Sequence, residues 1–136
     1  MICPPEFQQS VWPFINSYKS KSTKLESVEL EKSAAHIIVE IIEYVPNAVV
    51  SKTIIKKTMG SVTIASVAEG EELAEKTFPS DTFIQIIDGV AELKMGDKKY
   101  KLRLGEGIII PANARHNFTA SEQFKMISTV IKNGYE

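Results

Sequence analysis

Hydrophobic and polar residues alternate along most of this chain after residue 46, in short runs bounded by glycine, proline, asparagine or aspartate. Period-two alternation and enrichment in β-branched residues are typical of β-strands. The predicted strands are AVVSKTIIKK, SVTIASV, DTFIQII, VAELKM, KKYKLRL, GIII and QFKMISTVIK. Gly96-Asp97 between two of them predicts a two-residue hairpin turn. So many short strands predict an all-β fold, an antiparallel barrel or jelly roll.

The stretch from Gly105 to His116, GEGIIIPANARH, places a polar side chain just beyond a buried strand. Three isoleucines at 108–110 predict a short, deeply buried strand. Pro111 ends it because proline has no N–H to donate to a ladder. Asn113 is the residue in the following loop that best tolerates a left-handed backbone. His116 then begins another short strand, so a titratable, metal-competent side chain follows a rigid apolar strand.

The first 45 residues have a different character. Residues 1–30 predict an N-terminal extension, partly helical or flexible, with a short helix broken near Pro13 and a Ser/Lys-rich connector. We expect its aromatic residues to pack on the main body or on a second subunit: Phe7, Trp12, Phe14 and Tyr18. Residues 33–45 place apolar side chains at helical spacing, with Ser33 as the N-cap. The expected barrel domain therefore covers 31–136 and includes a short leading helix.

Composition narrows the class of protein. The 136 residues are 43% hydrophobic and 24% charged, which is typical of one globular domain. The net charge of -1 predicts neither a nucleic-acid nor an anionic-membrane partner. Cys3 is the single cysteine, which excludes an intrachain disulfide and favours a cytoplasmic location. We expect no signal peptide and no membrane span, because no basic n-region and no long apolar run is present.

The Gly105 to His116 stretch resembles the second sequence motif of the cupin superfamily, G-x5-P-x-G-x2-H-x3-N. This chain supplies Gly105, Pro111 and His116, while Asn113 replaces the internal glycine and Ala120 the terminal asparagine. The resemblance implies a cupin β-barrel over about residues 48–132.

The first cupin motif, G-x5-H-x-H-x3,4-E-x6-G, resembles the stretch from Gly70 to Gly89. In that alignment the two histidine positions fall on Lys76 and Phe78, and the glutamate position falls on Thr82. Metal-binding members of the family use those three positions together with the histidine of the second motif. This chain keeps only His116, and neither an ammonium, a phenyl ring nor a neutral hydroxyl is a good metal ligand. The resemblance therefore implies a degenerate metal site and no metal cofactor.

The alignment places Lys76, Phe78, Thr82 and His116 inside one end of the barrel. Lys76 and Phe78 are two residues apart, so on a strand they share a face. An aromatic wall with a few polar groups suits a small polar or anionic organic ligand. The predicted function is therefore metal-independent binding of a small molecule in the barrel mouth. In the opposing interpretation Lys76 reaches solvent, Phe78 belongs to the core and His116 is a structural remnant.

Three alternatives stay open. In an acid/base, isomerase-like enzyme, His116 shuttles protons and Lys76 stabilises an enolate or carboxylate. In a metal-dependent, dioxygenase-like cupin, His116 binds a divalent metal with carboxylates from Glu72, Glu75 or Asp81. The third alternative is a dimeric structural or sensing module without catalysis. Small cupins resemble one another in forming homodimers, and the aromatic extension favours a homodimer here.

Overall fold

The computed structural model describes residues 25–26 and 29–132, which form ten β-strands and one short 3-10 helix. The strands are β1 Leu25–Glu26, β2 Val49–Lys57, β3 Gly60–Val67, β4 Glu72–Lys76, β5 Thr82–Gly89, β6 Ala91–Met95, β7 Lys98–Leu102, β8 Gly107–Ile110, β9 His116–Thr119 and β10 Phe124–Ile131. They form a six-stranded sheet in the order β1-β2-β3-β10-β5-β8 and a four-stranded sheet in the order β4-β9-β6-β7. All pairings are antiparallel except that of β1 with β2. The predicted all-β antiparallel fold is confirmed.

The two sheets enclose one hydrophobic core. Connections β3 to β4, β5 to β6, β7 to β8 and β9 to β10 each pass from one sheet to the other. Side chains at alternate strand positions therefore meet between the sheets. The largest fully buried members of this core are Phe124, Ile86, Leu93, Ile110 and Val67. The hairpin predicted at Gly96-Asp97 is formed, because Met95 and Lys98 are the last paired residues of β6 and β7.

The helix predicted for residues 33–45 is wrong. This segment contains only one 3-10 turn, Ile38–Glu40, and Ser33 has a left-handed backbone with φ of 62° instead of the extended backbone of an N-cap. Six of the thirteen residues are isoleucine or valine, whose branched side chains lose rotamer freedom in a helix.

Side chains of the six-stranded sheet hold this segment against the outer face of that sheet. The Lys125 ammonium donates to the carbonyl of Val39 at 2.6 Å, and Lys52 Nζ donates to that of Ile41 at 3.2 Å. The Ser66 hydroxyl donates to the carbonyl of Glu43 at 2.9 Å. The three carbonyls belong to alternate residues, from Val39 in the 3-10 turn to Glu43 after it, so the sheet holds the segment along most of its length.

A polar cluster on the same outer face anchors the end of this segment. The Tyr44 hydroxyl donates to a carboxylate oxygen of Asp88 at 2.6 Å. The ammonium of Lys125 lies 5.0 Å from the centre of the Tyr44 ring, within cation–π range. Lys125 and Asp88 are register partners on β10 and β5. The cluster therefore joins the leading segment to two central strands.

The predicted N-terminal extension lies almost entirely outside the described residues. Within residues 1–30, the structure describes only β1 and residues 29–30. β1 pairs in parallel with β2, Leu25 opposite Ser51. The helical character predicted for the extension is not supported by these residues. In the described part of the chain, no helix is long and apolar enough to cross a membrane.

Candidate ligand site at the barrel mouth

His116 begins β9 at one end of the barrel, as the sequence predicts. Its neighbours in the four-stranded sheet are Lys76 on β4 and Met95 on β6, both in direct register. The residue is 5% exposed, although it lies at the end of its strand. An imidazole is polar, so burial at this level favours a hydrogen-bond partner for at least one of its ring nitrogens.

Two aromatic rings flank the imidazole. The ring centroid of Phe78 lies 5.5 Å from that of His116, with a tilted arrangement of the two planes. The ring of Phe118 lies 6.1 Å away, edge to face. Phe118 is itself packed against Phe124 in the core, at a centroid distance of 6.1 Å. Two sides of the imidazole are therefore apolar, and the side formed by Phe118 is fixed by the core.

A hydrogen bond to the backbone sets the orientation of the imidazole. His116 Nδ1 lies 3.1 Å from the carbonyl oxygen of Ala114. A carbonyl can only accept, so Nδ1 carries the proton in this bond. In the neutral ring, Nε2 then has a free lone pair. Within the described residues, no hydrogen bond to Nε2 is formed. The ring is thus arranged to accept a hydrogen bond from a guest molecule.

Two hydrogen bonds fix the rim of the mouth by joining the loop before His116 to the segment after β4. The amide of Asn113 donates to the carbonyl of Phe78 at 2.6 Å. The amide of Ala112 donates to a carboxylate oxygen of Asp81 at 2.8 Å. Asn113 has φ of 67°, which confirms the left-handed turn predicted for it.

The other predicted site residues have different environments. Lys76 is exposed and is the last residue of β4, so Phe78 lies beyond the strand and is half-buried. The strand face that the sequence predicts for this pair is therefore not formed. Thr82 is buried at the start of β5, and its hydroxyl donates to the carbonyl of Ser80 at 3.4 Å. The structure brings Lys76 and Phe78 beside His116, whereas the hydroxyl of Thr82 is directed to its own chain segment.

The residues at this end of the barrel do not fit a divalent metal. His116 is flanked by a phenyl ring at the position where the family pattern has a histidine. Asp81, one of the carboxylates considered as a substitute ligand, is bonded to the rim backbone, and Glu72 and Glu75 are exposed. Throughout the described ranges, no group of three or more His, Cys, Asp or Glu side chains is placed to hold a metal ion. A stable site of this kind usually requires at least about three protein ligands.

Phe118 and the Ala114 carbonyl are parts of the site that the sequence motif does not reveal. Phe118 follows His116 by two residues on a strand, so period-two alternation could have placed it on the same strand face as His116. The carbonyl of Ala114 carries no sequence signal, because every residue has one.

Comparison with known proteins identifies the family. The cupin domain profile matches residues 63–130, half of the chain, and includes β5 to β9 with the His116 loop. This chain belongs to the cupin family. The crystal structure of the conserved SPY1581 protein of unknown function from Streptococcus pyogenes is similar to this chain, with a TM-score of 0.73 and 24% identity. The alignment covers 78% of this cupin and 93% of that chain, and shows a shared fold alone.

Two curated relatives come from Streptomyces. Protein SchB of Streptomyces halstedii is 33% identical over 72 residues, which span 52% of this cupin and 52% of the relative. Polyketide synthase CurC of Streptomyces cyaneus is 29% identical over 73 residues, 52% of this cupin and 47% of the relative. The chain thus spans about half the length of the curated relatives that it matches.

Proposed function

We propose that this cupin binds a small polar or anionic organic molecule in the barrel mouth, without a metal ion. The observation that carries the proposal is the environment of His116. Its imidazole is held by the Ala114 carbonyl, flanked by Phe78 and Phe118, and has its Nε2 lone pair free of partners among the described residues. A rigid apolar wall with one oriented polar atom is the usual composition of a small-molecule site.

Each residue around His116 would contact a different part of the ligand. Phe78 and Phe118 offer aromatic surface to an apolar or planar part of the ligand. Nε2 of His116 accepts a hydrogen bond from a hydroxyl of the ligand. Lys76, exposed and opposite His116, supplies a positive charge where an anionic group would remain in contact with water. Among the described residues, the hydroxyl of Thr82 makes one long bond, to the Ser80 carbonyl, which a ligand oxygen can replace.

A second candidate function is proton transfer on such a molecule. The free Nε2 lone pair and the nearby Lys76 favour it, as does the similarity to a relative named a polyketide synthase. In this alternative His116 removes or returns a proton, and Lys76 stabilises the negative charge that develops on an oxygen.

The binding proposal is tested by titrating chelator-treated protein with phenol and with benzoate, following backbone amide signals by NMR. We expect both probes to shift signals of the 111–116 loop and of β4. His116→Phe should weaken phenol binding about tenfold, the loss of one good hydrogen bond. The matched control is His36→Phe, because the chain contains just two histidines and His36 bonds to the Glu31 carbonyl in the leading segment.

Two results would contradict the proposal. One is binding of either probe that requires an added divalent metal. The other is equal affinity of the two variants for phenol. Lys76→Met tests the contribution of the Lys76 charge separately from the His116 hydrogen bond. It should weaken the binding of benzoate, which is anionic, and leave the affinity for phenol within twofold.

We also propose that the chain forms a homodimer. Phe83 on β5 and Ile109 on β8 are register partners on the outer face of the six-stranded sheet, and both are exposed, 43% and 63%. β8 is the last strand of that sheet, so its free edge is not paired within the described residues. An exposed apolar pair beside a free edge is a surface that proteins usually cover.

A further inference from the structure

Three hydroxyl side chains form a continuous row across neighbouring strands of the six-stranded sheet. Thr53 on β2 is the register partner of Thr63 on β3, and Thr63 is the partner of Ser128 on β10. Register partners of antiparallel strands direct their side chains to the same face. We call these three residues the hydroxyl row.

The hydroxyl row faces the inside of the barrel. Thr63 is two residues from Ala65, and Ser128 is two residues from Met126, and both of these neighbours belong to the core. Ser128 is also the register partner of Ile84, another core residue. Because strand side chains alternate with period two, the row lies on the inner face, in the same layer as the core residue Ile84 and next to the layer of Met126.

The hydroxyl row lies at the same end of the barrel as His116. Residues 120–123 join the end of β9 to the start of β10. The first residue of β9 and the last residues of β10 therefore lie at the same end of the barrel, away from this link. His116 is four residues before Ala120, and Ser128 is four residues after Phe124. Four strand residues correspond to about 13 Å in each case. The imidazole and the hydroxyl row therefore face each other across two sheets packed about 10 Å apart.

The exposure of these residues indicates an opening between the two walls. Thr63 and Ser128 point inward from central strands, yet they are only half-buried. The side chains of the row are smaller than Met126 and Ile86, which are register partners in the layer below. Thr53, at the end of the row, is 1% exposed, and its hydroxyl oxygen has no hydrogen-bond partner among the described residues. A buried hydroxyl without a partner is costly, so a bound molecule that supplies a hydrogen bond here would be stabilised.

We propose that the hydroxyl row is a second ligand-binding wall opposite His116. It would take the uncharged edge of a ligand, with two hydrogen-bonding oxygens on that edge separated by about one strand spacing, ~4.8 Å. This inference rests on the proposed function and names the class of ligand. Hydroxyls both donate and accept, so ligand hydroxyl and carbonyl oxygens are equally suited to the row.

The neutral character of the buried edge follows from the charges nearby. The hydroxyl row itself carries no charge, and Lys125, the buried lysine of β10, is bonded to Val39 on the outer face of the sheet. Lys76 is exposed at the rim. A carboxylate placed against the hydroxyl row would thus lose its hydration without gaining a cation, which is strongly unfavourable. An anionic group of the ligand belongs at the rim, and its neutral oxygens belong at the row.

The test compares the affinities of phenol and resorcinol, whose two hydroxyls in meta positions match one strand spacing. In the unmodified protein we expect resorcinol to bind about tenfold more tightly than phenol, as one additional good hydrogen bond allows. In the double variant Thr63→Val with Ser128→Ala, this ratio should fall to about one. The matched control is Thr129→Val, which removes a hydroxyl from the opposite face of β10 and should keep the ratio. Circular dichroism melting checks that each variant is folded, and Ser128→Ala alone replaces the double variant if that one is not.

The outcomes separate this inference from the proposed function. If phenol binds and depends on His116, but resorcinol has no advantage or keeps its advantage in the double variant, the hydroxyl row is not a ligand wall. An equal loss in Thr129→Val also overturns it, because the effect is then general to the strand. If neither phenol nor benzoate binds, the proposed function fails, and this inference fails with it.

Discussion

Asp81→Ala should loosen the rim of the barrel mouth. The carboxylate of Asp81 accepts the amide hydrogen of Ala112 at 2.8 Å, across 31 positions of sequence. The variant leaves that amide to water. The neighbouring bond from Asn113 to the Phe78 carbonyl connects main chain to main chain, so it survives the substitution. We expect a loosened rim and not a detached loop.

The magnitude follows from the type of bond and its exposure. A hydrogen bond to a charged group contributes ~1.5–3 kcal/mol to stability. Asp81 is exposed, so water replaces part of the lost bond and the lower end of this range applies. We expect Asp81→Ala to reduce the free energy of unfolding by about 1.5 kcal/mol. Asp81→Asn keeps a neutral acceptor, so about half of that loss is expected.

Urea denaturation followed by far-UV circular dichroism measures these differences. Asp97→Ala is the matched control, since it also removes one negative charge from an exposed turn, the β6–β7 hairpin. The control should stay within about 0.5 kcal/mol of the unmodified protein. If Asp81→Ala and Asp97→Ala are equally stable, the carboxylate does not hold the rim, and the reasoning is refuted.

Two further predictions concern the outer face. Burial and the hydrogen bond to Asp88 raise the pKa of Tyr44 above its ordinary value of about 10. The raised pKa means that the folded state holds this proton more tightly, so the associated stability is complete below about pH 10 and is lost as the pH rises further. Tyr44→Phe should flatten the alkaline decline in urea-denaturation stability, and an unchanged decline would contradict the assignment. Ile109→Lys should convert the proposed homodimer to a monomer in light scattering, whereas Leu104→Lys, a control of matched exposure, should not. A monomeric unmodified protein at micromolar concentration would contradict that expectation.

Alternation along the chain predicted most of the strands, because inward and outward residues differ in polarity there. β4 was missed. Its sequence, ELAEK, contains three charged residues and no β-branched one, and it forms because β9 offers it a partner. The helix expected at 33–45 fails for the complementary reason: its apolar spacing resembles that of a helix, but side chains of the sheet hold three of its carbonyls.

In the candidate site, too, the sequence predicted one part and the structure was needed for the rest. The family motif places His116, and the structure puts the residue where the motif implies. The partners of the imidazole depend on three-dimensional placement. Phe78 contacts His116 from beyond the end of β4, and the Ala114 carbonyl orients the ring. The hydroxyl row was not predicted, because the alignment of its three residues across strands needs the register.

At the start of β5, neighbouring residues alternate between the inner face of the sheet, beside the barrel mouth, and its outer face. Thr82 is 2% exposed and its neighbour Phe83 is 43% exposed, because successive side chains lie on opposite faces of the strand. Ile110 and Ile109 on β8 repeat this arrangement, at 2% and 63%. A protein that docks on Phe83 and Ile109 therefore contacts the outer face of β5 and β8. The inner face of the same two strands borders the ligand site. Association outside and binding inside would share two strands, and such coupling is reciprocal: a ligand that favours the dimer is itself bound more tightly by the dimer.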